Sequence, residues 1–311
     1  MVLLLQYTLI FASVLILVAL GGCFAEHSGV INLGLEGIMI MGALGGALAM
    51  RYISPNVPAI VMILGVLAIS ALVGMIYSCL LAVACINFKA DQTLVGTALN
   101  LLGTAGATVI VKAINTAANP DDVSSIVQYA GAKKAFTVNL GSFEFSWFML
   151  VTALLLAASY VLLYKTRFGL RLMACGEHPQ AADSVGVNVY RMRYAGVAIS
   201  GALAGVGGLV FVVPTSTNFN ATVAGYGFLA LAVLIFGQWR PSRILFAAFF
   251  FGLMKTVASA YSGIPFLANL GIPNDVYKMV PYVATLIVLA FTSKNSMAPR
   301  AEGIPYDKGS R

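Results

Sequence analysis

Charged residues are scarce in this chain, since Asp, Glu, Lys and Arg together make up 9% of its 311 residues. A soluble domain carries about 25%. Hydrophobic residues make up 60%, and many apolar runs approach the roughly 20 residues that a membrane-spanning helix needs. The scarcity of charge excludes an ordinary soluble protein. We therefore predict an all-α polytopic membrane bundle that forms one domain over residues 1–311.

Several catalytic and metal-binding sequence motifs are also missing. The chain contains no G-x-x-x-x-G-K-[ST] phosphate loop and no G-x-S-x-G elbow, so it has no ATP-hydrolysing or esterase site of these types. His27 and His178 lack ligand spacing, and the four cysteines form no C-x-x-C pair. We predict no enzyme activity, no metal and no cofactor, and we expect energy for any active process to come from partner subunits.

Basic residues exceed acidic ones, which gives a net charge of +7. In a soluble protein this excess suggests a nucleic-acid partner, whereas in a membrane protein basic residues gather in cytoplasmic loops. Because the chain is so apolar, we adopt the second interpretation and predict no nucleic-acid partner.

The apolar segments number about nine, which predicts 8–10 spans. They cover residues 3–24, 30–50, 58–86, 94–111, 146–164, 194–214, 223–237, 244–262 and 276–292. A further short helix is conceivable near 212–224 or 262–273, where Pro and Gly interrupt apolar sequence.

Loop charge predicts the orientation of the bundle. Twelve of the basic residues fall on one side if the loop 165–193 is cytoplasmic, and five fall on the other. This places the polar C-terminal tail, 293–311, in the cytoplasm and the long loop 113–145 outside, with the N-terminus also outside. The long loop is either a docking surface or a short hairpin, because residues 136–140 alternate as a strand does.

Few polar side chains lie at membrane depth. Glu36 is the sole ionisable residue between Gly29 and Met50, and such a carboxylate usually faces a protein interior or a water-filled path. We predict that Asn32, Glu36 and Asn100 line a substrate pathway; the alternative is that each ties one helix to another. Lys255 either reaches an interface or pairs with a carboxylate such as Glu36.

The loop 165–193 contains a predicted short helix. Pro179 suits the first turn of a helix, where its missing N–H costs nothing, and Gly186 suits a left-handed residue that ends one. Gln180 to Val185 then form about one and a half turns. The helix is either a docking element for another protein or a plain amphipathic connector.

Two glycine pairs have the G-x-x-x-G spacing that lets membrane helices approach closely. They are Gly42 with Gly46 and Gly201 with Gly205. We predict that all four pack helices together.

These stretches together carry a family resemblance. The runs 168–187, 199–208 and 225–233 resemble permease subunits of ABC importers in the branched-chain amino acid and monosaccharide permease family. The runs 29–43 and 91–100 are similar to its nucleoside-permease branch. The resemblance extends from about residue 10 to residue 292.

The resemblance implies a function and a set of partners. It implies a multi-pass permease in the cell membrane that moves nucleosides by alternating access. Its partners would be an ATP-binding subunit, a second permease that is a different chain, and an extracytoplasmic substrate-binding protein. Contact with the ATP-binding subunit would fall to residues of the coupling loop, namely Gly176, Glu177, His178, Pro179, Ala182 and Gly186.

Two alternatives stay open. One is the same machine with riboflavin or another sugar-like solute as its cargo. The other is an ion-coupled secondary transporter, which would need ion-binding carboxylates in the membrane. Glu36 is the one residue that fits this requirement, so the sequence favours the importer.

Overall fold

The computed structural model describes residues 2–53, 57–129, 133–140, 143–260, 273–292 and 296–309. Most of this part of the chain is helical. The helices are α1 (Val2–His27), α2 (Leu35–Tyr52), α3 (Ala59–Ala82), α4 (Gln92–Ala118), α5 (Trp147–Lys165), α6 (Arg167–Glu177), α7 (Pro179–Ser184), α8 (Val189–Thr215), α9 (Tyr226–Phe236), α10 (Pro241–Ala260) and α11 (Asn274–Thr292). A π-helical turn, Val83–Asn87, continues α3.

Helices α1 and α8 form the centre of the bundle. In their most apolar windows 94% and 78% of the residues are buried, against 22% for α5. Helix α8 packs on α1, α2 and α3. An α-helix that is apolar on every side is buried in protein or faces lipid. Helices α1 and α8 are examples of the first case, and α5 is an example of the second.

The helices agree with the predicted apolar segments in position but not in span count. Each of the nine segments coincides with one of α1–α5 or α8–α11. Within the described residues, however, six helices are long and apolar enough to cross a membrane. Helix α9 has 11 residues, and at about 1.5 Å per residue it covers about half of a roughly 30 Å hydrocarbon core.

The predicted loop 113–145 is partly helix and partly strand. Helix α4 continues to Ala118, beyond its apolar part, because Asn115 is anchored there: its Oδ1 accepts a bond from Arg51 Nη1 at 2.7 Å. Its Nδ2 donates to the Ile126 carbonyl at 3.0 Å. A buried polar side chain that is fully bonded allows a helix to outlast its hydrophobic stretch.

Two small antiparallel sheets lie at this end of the bundle. Strand β1 (Val127–Gln128) pairs with β4 (Asn218–Phe219), and β2 (Thr137–Leu140) pairs with β3 (Phe143–Ser146), with Leu140 opposite Phe143. The strand predicted at 136–140 is therefore confirmed. The helix considered near 262–273 falls almost entirely outside the described residues, and in the 212–224 region α8 runs to Thr215 and is followed by β4.

The opposite end of the bundle carries α6 and α7, and we call it the α6–α7 end. The C-terminus of α1 lies here, because a Cβ on Gly176 would overlap the His27 carbonyl. Residues 296–309 also lie here and are bonded to the bundle, so the predicted tail is not a free extension where it is described.

Candidate translocation site and partner surface

The carboxylate of Glu36 caps the N-terminus of α9. Gly225 is left-handed, with φ of 77°, and its N–H donates to Glu36 Oε1 at 2.8 Å. The Gly227 N–H donates to Oε2 at 2.6 Å. Free N–H groups and the helix dipole both favour an anion at this position. Glu36 thus joins α2 to a helix that begins inside the bundle.

Lys255 interacts with aromatic rings rather than with the Glu36 carboxylate directly. Its Nζ lies 5.1 Å from the centre of the Tyr226 ring and 5.3 Å from that of Tyr282. Lys255 forms no ion pair among the described residues, where Lys89 and Asp307 form one.

Asn32 and Asn100 bind other parts of the protein. Asn32 is fully buried, donates to Ser200 Oγ at 2.9 Å and accepts from the Gly34 N–H at 3.1 Å. Asn100 accepts from the Gly37 N–H and donates to the Leu33 carbonyl, both at 2.8 Å. Both amides therefore hold the irregular chain before α2 and the first turn of that helix.

One cavity with an aromatic lining was not predicted from the sequence. It measures about 330 Å³ and is lined by α1, α8 and α10 through Tyr7, Phe11, Pro214, Thr215, Thr256 and Ser259. The Phe11 ring packs on Tyr226, 5.7 Å between centres, which connects the cavity to the N-terminus of α9. The i, i+4 spacing of Tyr7 and Phe11 was a signal, but α1 is so apolar throughout that the pair did not stand out.

A second polar cluster joins α1 to the segment after α9. The Trp239 indole N–H donates to Glu26 Oε2, and His27 Nε2 lies 3.0 Å from the Trp239 carbonyl. Because a carbonyl only accepts, Nε2 must carry the proton. Trp239 has a positive φ of 54°. The sequence did not reveal this cluster, whose members lie more than 200 residues apart.

The predicted glycine pairs lie at the closest helix crossings. A Cβ on Gly42 would overlap Gly205, and one on Gly46 would meet the Leu209 side chain. A Cβ on Gly201 would overlap the Ser78 side chain, and one on Gly205 would meet the Ser70 carbonyl. Ser70 Oγ donates to the carbonyls of Gly42 and Gly205, both at 2.8 Å, so α2, α3 and α8 meet at one point.

The loop 165–193 forms α6, α7 and a left-handed turn. Pro179 occupies the first turn of α7, and Gly186 has φ of 84°, so the predicted short helix is present. Pro179 and Ala182 face inward and are buried, as is Gly176. The outward surface is formed by Glu177, His178, Gln180, Ala181, Ser184, Val185 and Gly186. Ala182 is therefore unavailable for the direct contact with a partner that its position suggested.

Cysteines and histidines do not assemble into a metal site in the described part of the chain. No group of three or more His, Cys, Asp or Glu side chains there has the geometry to hold an ion. Cys23, Cys85 and Cys175 are buried free thiols, whereas Cys79 is exposed on α3.

Comparison with known proteins agrees with this architecture. Residues 4–289 match the family described as branched-chain amino acid transport system, permease component. The guanosine ABC transporter permease protein NupQ of Bacillus subtilis is 41% identical, over 98% of this chain and 96% of its own length. The nucleoside ABC transporter permease protein NupC of Lactococcus lactis is 37% identical, over 96% and 95%. The putative glucose ABC transporter permease protein TsgC13 of Haloferax volcanii is 30% identical, over 93% and 91%.

The match covers nearly all of α1 to α11, including the membrane-embedded start of α9 and the loop with α6 and α7. Within the described residues, six helices are long and apolar enough to cross a membrane, which agrees with a multi-pass protein of the plasma membrane. The chain belongs to the branched-chain amino acid transport system permease family.

Proposed function

We propose that this chain is the membrane-spanning permease subunit of an ATP-driven ABC importer for nucleosides. The observation that carries the proposal is the 41% identity, over nearly the full chain, with a permease named for guanosine. A second relative of similar coverage is named for nucleosides. The chain itself hydrolyses nothing in this proposal, and a separate ATP-binding subunit supplies the energy.

The chemistry of the aromatic cavity supports a neutral, ring-containing solute. Its lining residues carry no charge, and they combine the rings of Tyr7 and Phe11 with the hydroxyls of Thr215, Thr256 and Ser259. A nucleoside has a flat base and a ribose rich in hydroxyls. Stacking of a base on an aromatic ring contributes about 1–3 kcal/mol, and hydroxyl groups both donate and accept hydrogen bonds.

Asn32, Glu36 and Asn100 enter the proposal as residues that shape the pathway. Each holds the start of α2 or the start of α9, and helices broken at membrane depth commonly border transporter binding sites. We propose that solute passes beside these helix starts. Direct contact with the solute would require Asn32 or Asn100 to exchange its present protein partners.

The α6–α7 end provides a partner surface. We propose that it faces the cytoplasm and that Glu177, His178 and the exposed face of α7 contact the ATP-binding subunit. The other partners in this proposal are a second, different permease chain and an extracytoplasmic substrate-binding protein. The solute path would then open alternately to the two sides as the ATP-binding subunits close and separate.

Uptake by the reconstituted complex tests the proposal. Proteoliposomes containing this chain, its second permease, the ATP-binding subunit and the binding protein are expected to accumulate radiolabelled guanosine when ATP is present. Parallel assays use uridine, riboflavin, glucose and leucine. A complex with a hydrolysis-deficient ATP-binding subunit serves as the control. Uptake driven by an ion gradient without ATP, or uptake of glucose or riboflavin without nucleosides, would contradict the proposal.

Variants of the cavity connect that test to the structure. Tyr7→Ala and Phe11→Ala are expected to raise the nucleoside concentration needed for half-maximal uptake by about tenfold, since each removes a stacking surface. Phe246→Ala is the matched control, because Phe246 is 73% exposed on α10 and lies outside the cavity lining. Equal effects of all three changes would argue against the cavity as the solute site.

A further inference from the structure

Residues 296–309, which we call the C-terminal strap, are bonded to four separate parts of the α6–α7 end. The contacts reach the α9–α10 connection, α6, α8 and the α3–α4 connection. They join Met297 N to Gln238 Oε1 at 2.9 Å, Ala301 N to the Gly176 carbonyl at 2.8 Å, Arg193 Nη2 to the Ile304 carbonyl at 3.0 Å, and Lys89 Nζ to Asp307 Oδ2 at 3.0 Å. One segment of 14 residues therefore connects the ends of several helices.

The strap places an aromatic side chain against α7. Tyr306 is 4% exposed and forms a small apolar cluster with Cys175 of α6, Ala182 of α7 and Val189 of α8. Its ring also meets Tyr190 edge-on, 5.4 Å between centres. The inward face of α7 thus rests partly on a residue that is more than 120 positions away in the chain.

A buried cation depends on the same segment. Arg193 is 1% exposed, and a buried charge is costly unless it is bonded. Its guanidinium donates to the Ile304 carbonyl and lies 6.0 Å from the centre of the Tyr306 ring, while its Nε has no partner among the described residues. Without the strap, Arg193 would lose the carbonyl and the ring that compensate its burial.

The strap contacts the loop at the junction between α6 and α7. The Gly176 carbonyl that it binds is three residues before Pro179, and the His27 carbonyl of α1 lies against the Cα of the same glycine. Movement of α7 relative to α1 and α8 must therefore involve this junction. A bond at the junction and a ring under α7 together restrict the directions in which α7 can move.

We propose that the C-terminal strap is a positioning element that holds α7 in the orientation in which it transmits the movement of the ATP-binding subunit to the membrane helices. The inference rests on the proposed function for the identity of the partner. The contacts themselves do not depend on that function. Tyr306 and Arg193 are the positioning residues, and the exposed face of α7 remains free for the partner.

The test compares coupling with assembly in the complete complex. One variant ends the chain after residue 295, and a second is Tyr306→Ala. We expect both to assemble with the ATP-binding subunit but to import at least tenfold and threefold fewer nucleosides, respectively, per ATP hydrolysed. Tyr306→Phe keeps the ring that packs on α7 and is expected to couple better than Tyr306→Ala. Ile304→Ser changes a side chain that is 56% exposed while keeping its carbonyl, and it is expected to couple as the wild type does.

A second readout does not need transport. In a complex whose other cysteines are replaced by alanine, Cys175 is fully buried against Tyr306. Removal of the strap is expected to raise its labelling rate with a water-soluble maleimide at least tenfold. An unchanged labelling rate, or a truncated complex with wild-type coupling, would overturn the inference. Failure of the truncated and Tyr306→Ala chains to yield soluble complex would also overturn it, because the strap would then be needed for folding alone.

These outcomes are separable from failure of the proposed function. If the wild-type complex itself imports no nucleoside, the proposed function fails while the Cys175 result still stands. If the wild type imports nucleosides and the variants couple normally, the inference fails and the proposed function stands.

Discussion

Helices α7 and α9 are both short, yet their N-termini differ in how their free N–H groups are satisfied. Helix α7 lies at an exposed end of the bundle, starts with Pro179 and has no side chain bonded to its first N–H groups. Helix α9 starts inside the bundle, and the carboxylate of Glu36, from a distant helix, accepts bonds from its first N–H groups at 2.8 and 2.6 Å. An exposed helix end is open to water, whereas at membrane depth the protein must satisfy the end of a helix.

The side chains beneath the two helices differ as well. The buried face of α9 contacts the apolar core and the Phe11 and Phe211 rings through Tyr226. The inward face of α7 rests on the small cluster with Tyr306. Helix α9 is thus held by the same contacts that hold the bundle, while α7 rests in part on the C-terminal strap, through a cluster separate from the main core. The comparison predicts large effects of changes at α9 and small, local ones at α7.

The largest effect is expected for Glu36→Leu. The change removes both acceptors of the Gly225 and Gly227 N–H groups, and because each unsatisfied buried donor costs about 1–3 kcal/mol we expect a total loss of about 2–6 kcal/mol. The purified complex should have a lower midpoint of thermal unfolding, and the yield of its purification should also be lower. Glu36→Gln keeps one acceptor oxygen, so its unfolding midpoint should lie between those of the wild type and Glu36→Leu. Wild-type stability of Glu36→Leu would show that α9 does not need its cap.

A smaller effect is expected for Asn100→Leu. It leaves the Gly37 N–H and the Leu33 carbonyl without their partners, at about 1–3 kcal/mol for each group. Bonds to a neutral amide are weaker than bonds to a carboxylate, so we place the effect below that of Glu36→Leu and expect uptake to fall several-fold in a complex that still assembles. Asn119→Leu is the control, since Asn119 is exposed at the end of α4. If Asn100→Leu prevents folding, the residue is a tie between helices. If the variant transports as the wild type does, Asn100 is not part of the pathway.

We expect pH to act on the docking of the C-terminal strap through Glu302. Burial raises the pKa of this carboxyl to about 7 from its ordinary 4.5, and the Glu26 carboxyl of α1 faces it. Because the docked strap favours the protonated acid, the contribution of Glu302 is fully present below about pH 4.5 and is lost as the pH rises to about 7. Docking is therefore expected to be weaker at pH 8 than at pH 5.

Labelling of Cys175 measures this pH effect. Thiol reactivity rises with pH by itself, so the rate is divided at each pH by that of Glu302→Gln, which keeps the shape but cannot ionise. The ratio of wild type to variant should rise between pH 5 and pH 8. A constant ratio would mean that Glu302 does not influence docking.

The smallest effect is expected for Gly186→Ala. No atom would meet the new Cβ, so the cost arises only from the φ of 84°, about 1 kcal/mol and local to the turn. The unfolding midpoint of the complex should hardly change, and uptake should fall less than twofold. Gly106→Ala on α4 is the control, because its Cβ would also meet nothing and its φ is not positive. A large loss of stability in Gly186→Ala would contradict the comparison of α7 with α9.

The elements that followed from local sequence share one property, which is that their cause lies within a few residues. Apolar runs predicted the positions of the long helices, Pro179 and Gly186 predicted α7, and alternation predicted β2. The aromatic cavity, the Glu26–Trp239 bond and the Glu36 cap were not predicted, because each joins residues that are far apart in the chain. Lys255 illustrates the difference, since its position suggested a carboxylate and the fold supplied two rings.

The sequence by itself determined that the chain lies in a membrane, that it is helical, and which family its motifs resemble, because composition, apolar length and local turn chemistry act at short range. Only the tertiary structure decided which polar groups meet at membrane depth and where residues 296–309 lie. Glu36 reaches α9 and Tyr306 reaches α7 because buried N–H groups, charges and rings must each find a partner within the protein. The identity of that partner depends on how the helices cross.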